Sequence, residues 1–403
     1  MLNSHNARKI AVATGSRAEY GLLSGLMRAI QDQDGMRLQV IACAAHLSVR
    51  HGMTVNQIIE DGFKVDARIE TLDESDDPVA IAKSVGRGVM GFADTLSELK
   101  PDILVVLGDR YEMLAAAQAA LLLNIPIAHI HGGEVTEGAV DEAIRHAITK
   151  MASLHFTAAN AYRDRVIQMG EQPKRVFNVG APGLDLIRKL KLRDKNQLQA
   201  ELGISLNAPI FLVTYHPVTW GRSLGDEAIQ ALFSALESFP NANIIWTAPN
   251  ADAGGQSFYM LIESWSGSTS LNVQVFTNLG SVRYLSLMAI ADVVIGNSSS
   301  GIIEAPAMGT PSVNIGSRQQ GRLRSVSILD CDESETAIYQ AIHQALTPEF
   351  QKLAAQKNSV YGQGDSVKKM LEVLSSVELK DLNTKAFYDL VDKPSITSSK
   401  DRL

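Results

Sequence analysis

The chain has 403 residues, which is longer than a single hydrophobic core usually grows, so the sequence predicts two domains. Hydrophobic residues make up 45% of the chain and charged residues 20%, which is typical of a globular protein and excludes a disordered or fibrous one. The formal net charge of −7 argues against a general nucleic-acid or membrane-surface binder, because both need a positive field to offset phosphate.

Three further features bear on location. Cys43 and Cys331 belong to no CxxC pattern and no Cys/His cluster, so neither a disulfide framework nor a zinc site is indicated. The polar amino terminus leads directly into a predicted strand at residues 9–14, without the apolar segment of a signal peptide. The longest apolar stretch, around residues 114–123, is too short to cross a bilayer. We therefore predict a cytoplasmic protein.

Short apolar runs rich in β-branched residues alternate with longer segments of helical period, a pattern typical of βαβ units and a parallel sheet. In the first half, strands are predicted at residues 9–14, 38–42, 103–107, 127–130 and 176–179. Helices are predicted at residues 20–33, 79–99, 111–123, 142–151 and 161–169. This half is therefore predicted to be a doubly wound α/β domain.

The second half follows a charged, interrupted stretch at residues 184–207 and repeats the alternation. Its strands are predicted at residues 210–214, 243–247, 273–276, 293–295 and 312–315, and its helices at residues 227–238 and 282–290.

These patterns predict four segments. Residues 1–187 form an N-terminal Rossmann-like domain, and residues 188–365 form a second one. Residues 366–391 contain a helix that could cross back to the N-terminal domain, and residues 392–403 form a polar tail.

The strongest local signal is the segment GNSSSG at residues 296–301, which follows a predicted strand. A small-residue turn that opens a helix directs backbone N–H groups to the helix N-terminus, where the helix dipole favours an anion. A plain capping turn is the alternative, because Ser and Asn are common at helix starts. The run of Ser298, Ser299 and Ser300 before Gly301 favours phosphate binding, and Glu304 has acceptor oxygens for a ribose diol.

Other polar residues follow predicted strand ends, where ligands sit in open α/β sheets. Arg17, Arg110 and Arg318 each follow a strand and are candidate phosphate ligands, although a solvated arginine or a structural ion pair is the alternative at each position. His216 and Asn250 hold equivalent places after two strands of the second half.

Acids and bases follow two strands of the first half. Asp109 follows the strand at residues 103–107, and the segment HIHGGE places His131 and Glu134 after the strand at residues 127–130. The next helix then carries a group of charged residues, namely Asp141, Glu142, Arg145 and His146. Because the carboxyl ends of parallel strands meet at one edge of a sheet, these residues predict an active site there.

Together these segments resemble the UDP-N-acetylglucosamine 2-epimerase family. The resemblance rests on RAEY at residues 17–20, GDR at 108–110, HGGE at 131–134, and the segments 296–304 and 309–318. It spans residues 9–375 and is closest to the hydrolysing branch, which feeds sialic-acid-like sugar synthesis. It implies a GT-B fold, with two Rossmann-like doubly wound parallel-sheet domains facing a cleft.

The motifs and the resemblance together imply two groups of site residues. The residues that bind the UDP-sugar are Arg17, Arg110, His216, Asn250, Ser298, Ser299, Ser300, Gly301, Glu304 and Arg318. The catalytic residues are Asp109, His131, Glu134 and Asp141.

His131 departs from the family pattern. Members that act on UDP-N-acetylglucosamine typically carry glutamate there, whereas histidine is already a base near neutral pH, with an ordinary pKa of about 6.5. The pattern HIHGGE at residues 129–134 looks like relatives that take UDP-2,4-diacetamido-2,4,6-trideoxyglucose toward legionaminic acid.

The resemblance implies an enzyme that removes the C2 hydrogen, expels UDP from C1 and adds water to the resulting glycal. The product is a free manno-configured sugar for nonulosonic acid biosynthesis. Neither a cofactor nor a metal is expected, nor a nucleic-acid or membrane partner, and a homo-oligomer, dimer or tetramer, is expected. The alternatives are a GT-B glycosyltransferase with a UDP-sugar donor and a non-catalytic UDP-sugar sensor.

Overall fold

A computed structural model describes residues 7–72, 77–135, 140–216, 224–247, 255–277 and 279–390. Two sequence predictions, the ligand Asn250 and the polar tail at residues 392–403, lie outside these residues. The chain divides into two compact units, Met1–Pro182 with Asp365–Leu403 and Gly183–Gly364. We refer to them as the first and second domain.

The described part of the first domain contains a seven-stranded parallel sheet in the order β3-β2-β1-β4-β5-β6-β7. The strands are β1 Arg8–Thr14, β2 Met36–Cys43, β3 Val65–Ile69, β4 Ile103–Leu107, β5 Ile127–Ile130, β6 Leu154–Thr157 and β7 Val176–Asn178. The helices before the second domain are α1 Arg17–Asp32, α2 Val55–Glu60, α3 Pro78–Leu99, α4 Tyr111–Leu122, α5 Val140–Met151 and α6 Asn160–Gln168.

Alternate residues of β1 show how this sheet is buried on both faces. Ile10 and Val12 pack in one core cluster with Leu26 of α1, whereas Ala11 packs on the opposite face with Phe92 of α3. Side chains of a strand alternate between faces, so a continuous apolar strand needs helices on both sides of the sheet. Because both faces of the sheet are covered, polar side chains that could meet a ligand lie beyond the ends of the strands.

The second domain contains, among the described residues, a six-stranded parallel sheet in the order β10-β9-β8-β11-β12-β13. Its strands are β8 Ile210–Thr214, β9 Asn243–Thr247, β10 Asn272–Phe276, β11 Val293–Gly296, β12 Ser312–Ile315 and β13 Ile328–Cys331. Its helices are α7 Gly183–Lys189, α8 Lys195–Leu202, α9 Leu224–Glu237, α10 Gly255–Ser268, α11 Gly280–Ile290, α12 Ser299–Met308, α13 Glu335–Ala345 and α14 Pro348–Ala354.

The chain returns to the first domain in α15, Ser366–Ser376. Val367, Met370 and Leu374 are spaced three and four residues apart, so they share one helix face, and all three are buried in the same core cluster as α1. A Cβ on Gly25 would lie 3.3 Å from Val367 Cγ2, which shows how closely the two helices approach. In the described part of the chain, no helix has both the length and the hydrophobicity needed to cross a membrane.

Candidate active site

The turn after β4 places Asp109 at the carboxyl edge of the first sheet. Gly108 begins this turn with φ +79°, a left-handed conformation that glycine adopts without strain. Both of its peptide groups bond to β5, since its N–H donates to the Ile130 carbonyl at 3.0 Å and its own carbonyl accepts from His129 Nε2 at 2.7 Å. The backbone that leads into Asp109 is therefore held by the neighbouring strand.

Arg145 of α5 is the central cation of this edge. Its side chain is only 4% exposed and donates to the carboxylate of Asp109, to Glu142 Oε2 at 2.8 Å and to the Glu134 carbonyl at 3.0 Å. Glu142 Oε1 in turn lies 3.0 Å from His146 Nε2, one helical turn further on. Because a buried cation is costly unless it is paired, these acceptors account for its burial and bring Asp109 and the Glu134 segment together.

His131 and Glu134 form a second pair at the same edge. His131 Nδ1 contacts Glu134 Oε1, and His131 Nε2 is buried without a hydrogen-bond partner among the described residues. When Nδ1 donates to the carboxylate, Nε2 carries the lone pair and can accept a hydrogen bond or a proton. His131 has φ +68°, a conformation that costs a non-glycine residue about 1–3 kcal/mol and is typical of functional sites.

The next turn residue, Gly133, locks this segment against α6. It has φ +80°, and a Cβ there would lie 2.4 Å from the Tyr162 carbonyl oxygen, so only glycine fits. Arg165 of α6 donates to the Gly133 carbonyl. The HGGE motif is therefore needed for its backbone geometry as well as for its side chains.

The arginine and aspartate predictions at this edge have different outcomes. Arg110 does not pair with Asp109, because its Nε and Nη2 bond to the buried Glu112 at 3.1 and 3.0 Å. Arg17 is exposed in the first turn of α1, and Asp141 is half-buried in the first turn of α5. Glu112, a buried carboxylate one residue into α4, was not predicted as a site residue, because no local sequence pattern indicates its burial.

A cavity of about 620 Å³ lies beside the Arg110–Glu112 pair, within the range of small-molecule pockets. It is lined by Ala44, Ala45 and residues 47–51 after β2, by Thr71 and by Ser84. Among the residues that the structure describes, no three His, Cys, Asp or Glu side chains come together as metal ligands.

In the second domain, Asn297 joins the ends of three strands. Its side chain accepts from the His216 N–H at 2.7 Å and donates to the His216 carbonyl at 2.9 Å, which ties the end of β8 to the end of β11. Its own carbonyl accepts from Arg318 Nη1 and Gln319 Nε2, each at 2.9 Å, which adds the segment after β12. The structure therefore brings the predicted ligands His216 and Arg318 to the GNSSSG turn, through an asparagine that the sequence analysis did not single out.

Gly296 shows why this turn needs glycine. Its φ is +135°, and a Cβ there would lie 2.0 Å from the Thr214 carbonyl oxygen of β8. On the other side of the turn, a Cβ on Gly301 would lie 2.8 Å from Ser312 Oγ, so α12 packs closely on β12. The two glycines place the N-terminus of α12 directly at the carboxyl edge of the sheet.

The serines both cap α12 and form a hydroxyl cluster. Ser298 is the N-cap residue, and its side chain accepts from the Ser300 N–H at 3.4 Å, so the capping interpretation is correct for this residue. Ser300 Oγ lies 2.9 Å from Ser298 Oγ and 2.8 Å from the Tyr284 hydroxyl. The hydroxyl groups and the positive end of a ten-residue helix thus converge on one point, which suits an anion.

Glu304 lies in the second turn of α12 and has an unfilled hydrogen-bonding capacity. Its Oε2 is buried without a partner among the described residues. Burial raises the pKa of this carboxyl from 4.5 to about 7, despite the lowering effects of a backbone hydrogen bond and of Arg322. A ligand that brings hydroxyl donors to Glu304 would satisfy this oxygen.

Two Rossmann-like domains with polar residues gathered where the parallel strands end define a two-domain α/β enzyme of the GT-B class. The structure is similar to the crystal structure of UDP-GlcNAc 2-epimerase from Neisseria meningitidis bound to UDP-GlcNAc. The TM-score is 0.75 at 19% identity, with 92% of this chain and 100% of that chain covered.

The family model of UDP-N-acetylglucosamine 2-epimerase matches residues 28–375, and the chain belongs to that family. It is 41% identical to GDP/UDP-N,N'-diacetylbacillosamine 2-epimerase (hydrolyzing) of Campylobacter jejuni, over 86% of this chain and 89% of the relative. It is 35% identical to UDP-N,N'-diacetylbacillosamine 2-epimerase (hydrolyzing) of Legionella pneumophila, over 92% and 97% of the two chains. The family resemblance and the fold class predicted from the sequence are confirmed.

Proposed function

We propose that the chain is a hydrolysing UDP-sugar 2-epimerase, which converts a UDP-sugar and water to UDP and the free manno-configured sugar. The observation that carries this proposal is the cluster around Arg145, which joins Asp109 to the Glu134 segment and so to the base His131. A reaction that moves protons on and off a sugar needs an acid and a base held at one place. The names of the 41% and 35% identical relatives support the hydrolysing reaction.

The chemistry assigns two tasks to the first-domain residues. One group takes the proton from C2 while the C1–O bond to UDP breaks, which leaves a glycal. Water then adds its oxygen to C1, and a second group delivers a proton to C2 on the face that gives the manno product. We propose that Asp109, His131, Glu134 and Asp141 share these tasks, and His131 Nε2 is suited to the base role because no protein group described here occupies it.

We propose UDP-sugar ligands in each domain, considered separately. In the second domain, the N-terminus of α12 with its serines and Gly301 faces the diphosphate, Glu304 accepts from the ribose, and His216 and Arg318 complete this site together with Asn250. In the first domain, Arg17 and Arg110 contact the diphosphate and the sugar. The support is the convergence of His216, Arg318 and the serine turn on Asn297.

We propose UDP-2,4-diacetamido-2,4,6-trideoxyglucose, which is UDP-N,N'-diacetylbacillosamine, as the substrate and nonulosonic acid synthesis of the legionaminic or sialic type as the purpose. His131 in place of the family's glutamate motivates this choice over UDP-N-acetylglucosamine. Both hydrolysing relatives are named for diacetylbacillosamine, and the name of one also includes GDP.

The test incubates the full chain with UDP-diacetylbacillosamine, its GDP analogue or UDP-N-acetylglucosamine in heavy water. We expect nucleoside diphosphate release with one deuterium at C2 of a free manno sugar, and at least about tenfold higher kcat/KM for UDP-diacetylbacillosamine than for UDP-N-acetylglucosamine, the discrimination that 1.4 kcal/mol gives. Turnover that depends on an acceptor would establish the glycosyltransferase, and binding without turnover the sensor. Equal rates on the two UDP-sugars would contradict the substrate assignment alone.

Glu304→Gln is expected to stabilise the free protein and to weaken UDP binding. The raised pKa of about 7 means that the folded state holds a proton between pH 4.5 and 7 that the unfolded state loses, so this carboxyl lowers stability as the pH rises through that range. Removing it should raise Tm at pH 8 by at least about 2–4 °C, the shift that 1 kcal/mol gives a domain of this size, and leave Tm at pH 4.5 unchanged.

The same variant should weaken UDP binding at pH 8 at least about tenfold in calorimetry, because hydrogen bonds to a carboxylate are lost. Glu201→Gln is the matched control, since Glu201 is an exposed carboxylate of the same domain that pairs with Arg193. Unchanged UDP affinity of Glu304→Gln would remove the ribose assignment.

We also propose that the enzyme works as a homo-oligomer, a dimer or tetramer. Helices α3 and α4 pack together and expose large apolar side chains, with Val79 63%, Met90 64% and Leu122 80% exposed. Such side chains favour burial against another subunit. Sedimentation equilibrium of the full chain tests this, and a monomer at micromolar concentration contradicts it.

The cytoplasm is the proposed location. Cys43 and Cys331 are both free thiols in the structure, as suits a reducing compartment. Fractionation of the native host tests this, and recovery of the chain outside the cytoplasmic fraction contradicts it.

A further inference from the structure

His129, the first histidine of the HIHGGE segment, is completely buried in β5. Its Nε2 lies 2.7 Å from the Gly108 carbonyl and its Nδ1 lies 3.1 Å from the Thr149 hydroxyl of α5. An imidazole is costly to bury unless both of its nitrogens are paired, and here both are. Through the Gly108 carbonyl, His129 contacts the residue directly before Asp109, but its side chain is too deeply buried to reach a substrate.

The partners determine the proton positions in this chain of hydrogen bonds. The Gly108 carbonyl can only accept, so His129 Nε2 carries the hydrogen. Burial lowers the pKa of His129 to about 3, so the ring is neutral and Nδ1 must accept. The Thr149 hydroxyl therefore donates to His129, which makes a directional relay from α5 through β5 to the turn after β4.

Helix α5 thus holds Asp109 at two points. Arg145 and Thr149 are four residues apart and lie on one face of the helix. Arg145 binds the Asp109 carboxylate directly, and Thr149 acts through His129 on the Gly108 carbonyl, which precedes the Asp109 N–H in the chain. The first contact orients the side chain and the second fixes the backbone from which it extends.

We propose that His129 and Thr149 are positioning residues that hold Asp109 in its reactive orientation without touching the substrate. The inference rests on the proposed function, in which Asp109 is catalytic. Because a misplacement of about 1 Å can cost on the order of 100-fold in rate, loss of this relay should reduce kcat rather than substrate binding.

The experiment compares three variants of the full chain, Thr149→Val, His129→Leu and His129→Gln. Valine keeps the shape of threonine without its hydroxyl, leucine removes both ring contacts, and glutamine can present its Nε2 to the Gly108 carbonyl. We expect Thr149→Val and His129→Leu to lower kcat roughly 10–100-fold with KM and UDP affinity unchanged within about twofold. His129→Gln should recover part of the lost rate.

His155→Leu is the matched control. His155 is also completely buried, lies beside His129 in register on β6, and bonds to Glu171 instead of the Gly108 turn. A similar loss of Tm in His155→Leu and His129→Leu, with kcat lowered only in the second, supports positioning. Equal effects on kcat would show that His129 acts only through stability, and Thr149→Val decides the question if His129→Leu does not fold.

A double-mutant cycle with Asp109→Asn completes the test. If the relay acts through Asp109, adding Thr149→Val to Asp109→Asn should lower the residual rate no further, whereas a merely structural effect would multiply with it. If Asp109→Asn alone keeps wild-type turnover, the catalytic assignment of Asp109, on which this inference rests, is wrong while the overall reaction stands. If Asp109→Asn is inactive while Thr149→Val and His129→Leu turn over like His155→Leu, only the positioning inference is wrong.

Discussion

Asp109→Asn is expected to lower kcat by about 10²–10⁴-fold, the usual contribution of a positioned acid or base. Asparagine has the same shape, and its amide oxygen can still accept the Arg145 hydrogen bond, so the site should keep its geometry and lose only the titratable group. UDP affinity, measured by calorimetry, should stay within about twofold, because the proposed diphosphate contacts lie mainly in the second domain. Rates are followed as UDP release from UDP-diacetylbacillosamine.

Glu142→Gln is the appropriate comparison, because Glu142 is the other carboxylate that accepts from Arg145, with a side chain 28% exposed against 27% for Asp109. Each variant removes one carboxylate charge that pairs with Arg145. If the loss of rate were equal in both, Asp109 would be only a structural partner of Arg145 and its catalytic assignment would have to be withdrawn.

Several strands could be predicted to the residue, and others gave no recognisable sequence pattern. Residues 103–107 and 127–130 agree with β4 and β5. The first is a continuous apolar run, and the second has apolar residues on both sides of its single polar residue, His129. The strands β3, β6 and β13 were missed. In β6, Leu154–Thr157, His155 interrupts the apolar run and is buried only because Glu171 bonds to it from the α6–β7 connection. This hydrogen bond is a tertiary contact that no local sequence pattern indicates.

The same limit applies to the site. Strand ends predicted that Asp109, His131 and Glu134 would lie at one edge, because parallel topology alone brings them there. The pairing could not be predicted, since Arg110 is adjacent to Asp109 in sequence but bonds to Glu112. The actual partner, Arg145, lies 36 residues away, on a helix whose rotation depends on core packing. The sequence was therefore sufficient to predict where these residues lie, whereas the structure was needed to show which side chains pair.

Substitutions of Arg145 are expected to affect both the stability of the protein and its reaction rate. Arg145→Met leaves the carboxylates of Asp109 and Glu142 without their shared cation. Breaking a fully buried ion pair typically costs about 3–5 kcal/mol, and water at these two carboxylates, which are 27% and 28% exposed, should reduce that cost. We therefore expect a large fall in Tm and no measurable turnover. Arg145→Lys keeps the charge, but one ammonium cannot reproduce the guanidinium's planar set of bonds to Asp109, Glu142 and the Glu134 carbonyl.

Arg145→Lys should consequently remain folded at 25 °C and lose roughly 100-fold in kcat, because Asp109 and the HGGE segment are no longer held in one geometry. Thermal unfolding and UDP-release kinetics on the same samples separate the two effects. Arg163→Met of α6 is the control, since Arg163 bonds to the Val176 carbonyl at 3.0 Å and contacts no proposed catalytic residue. If Arg145→Lys kept wild-type kcat, charge alone would be sufficient, and the spatial link that Arg145 makes between Asp109 and the HGGE segment would have no part in the reaction.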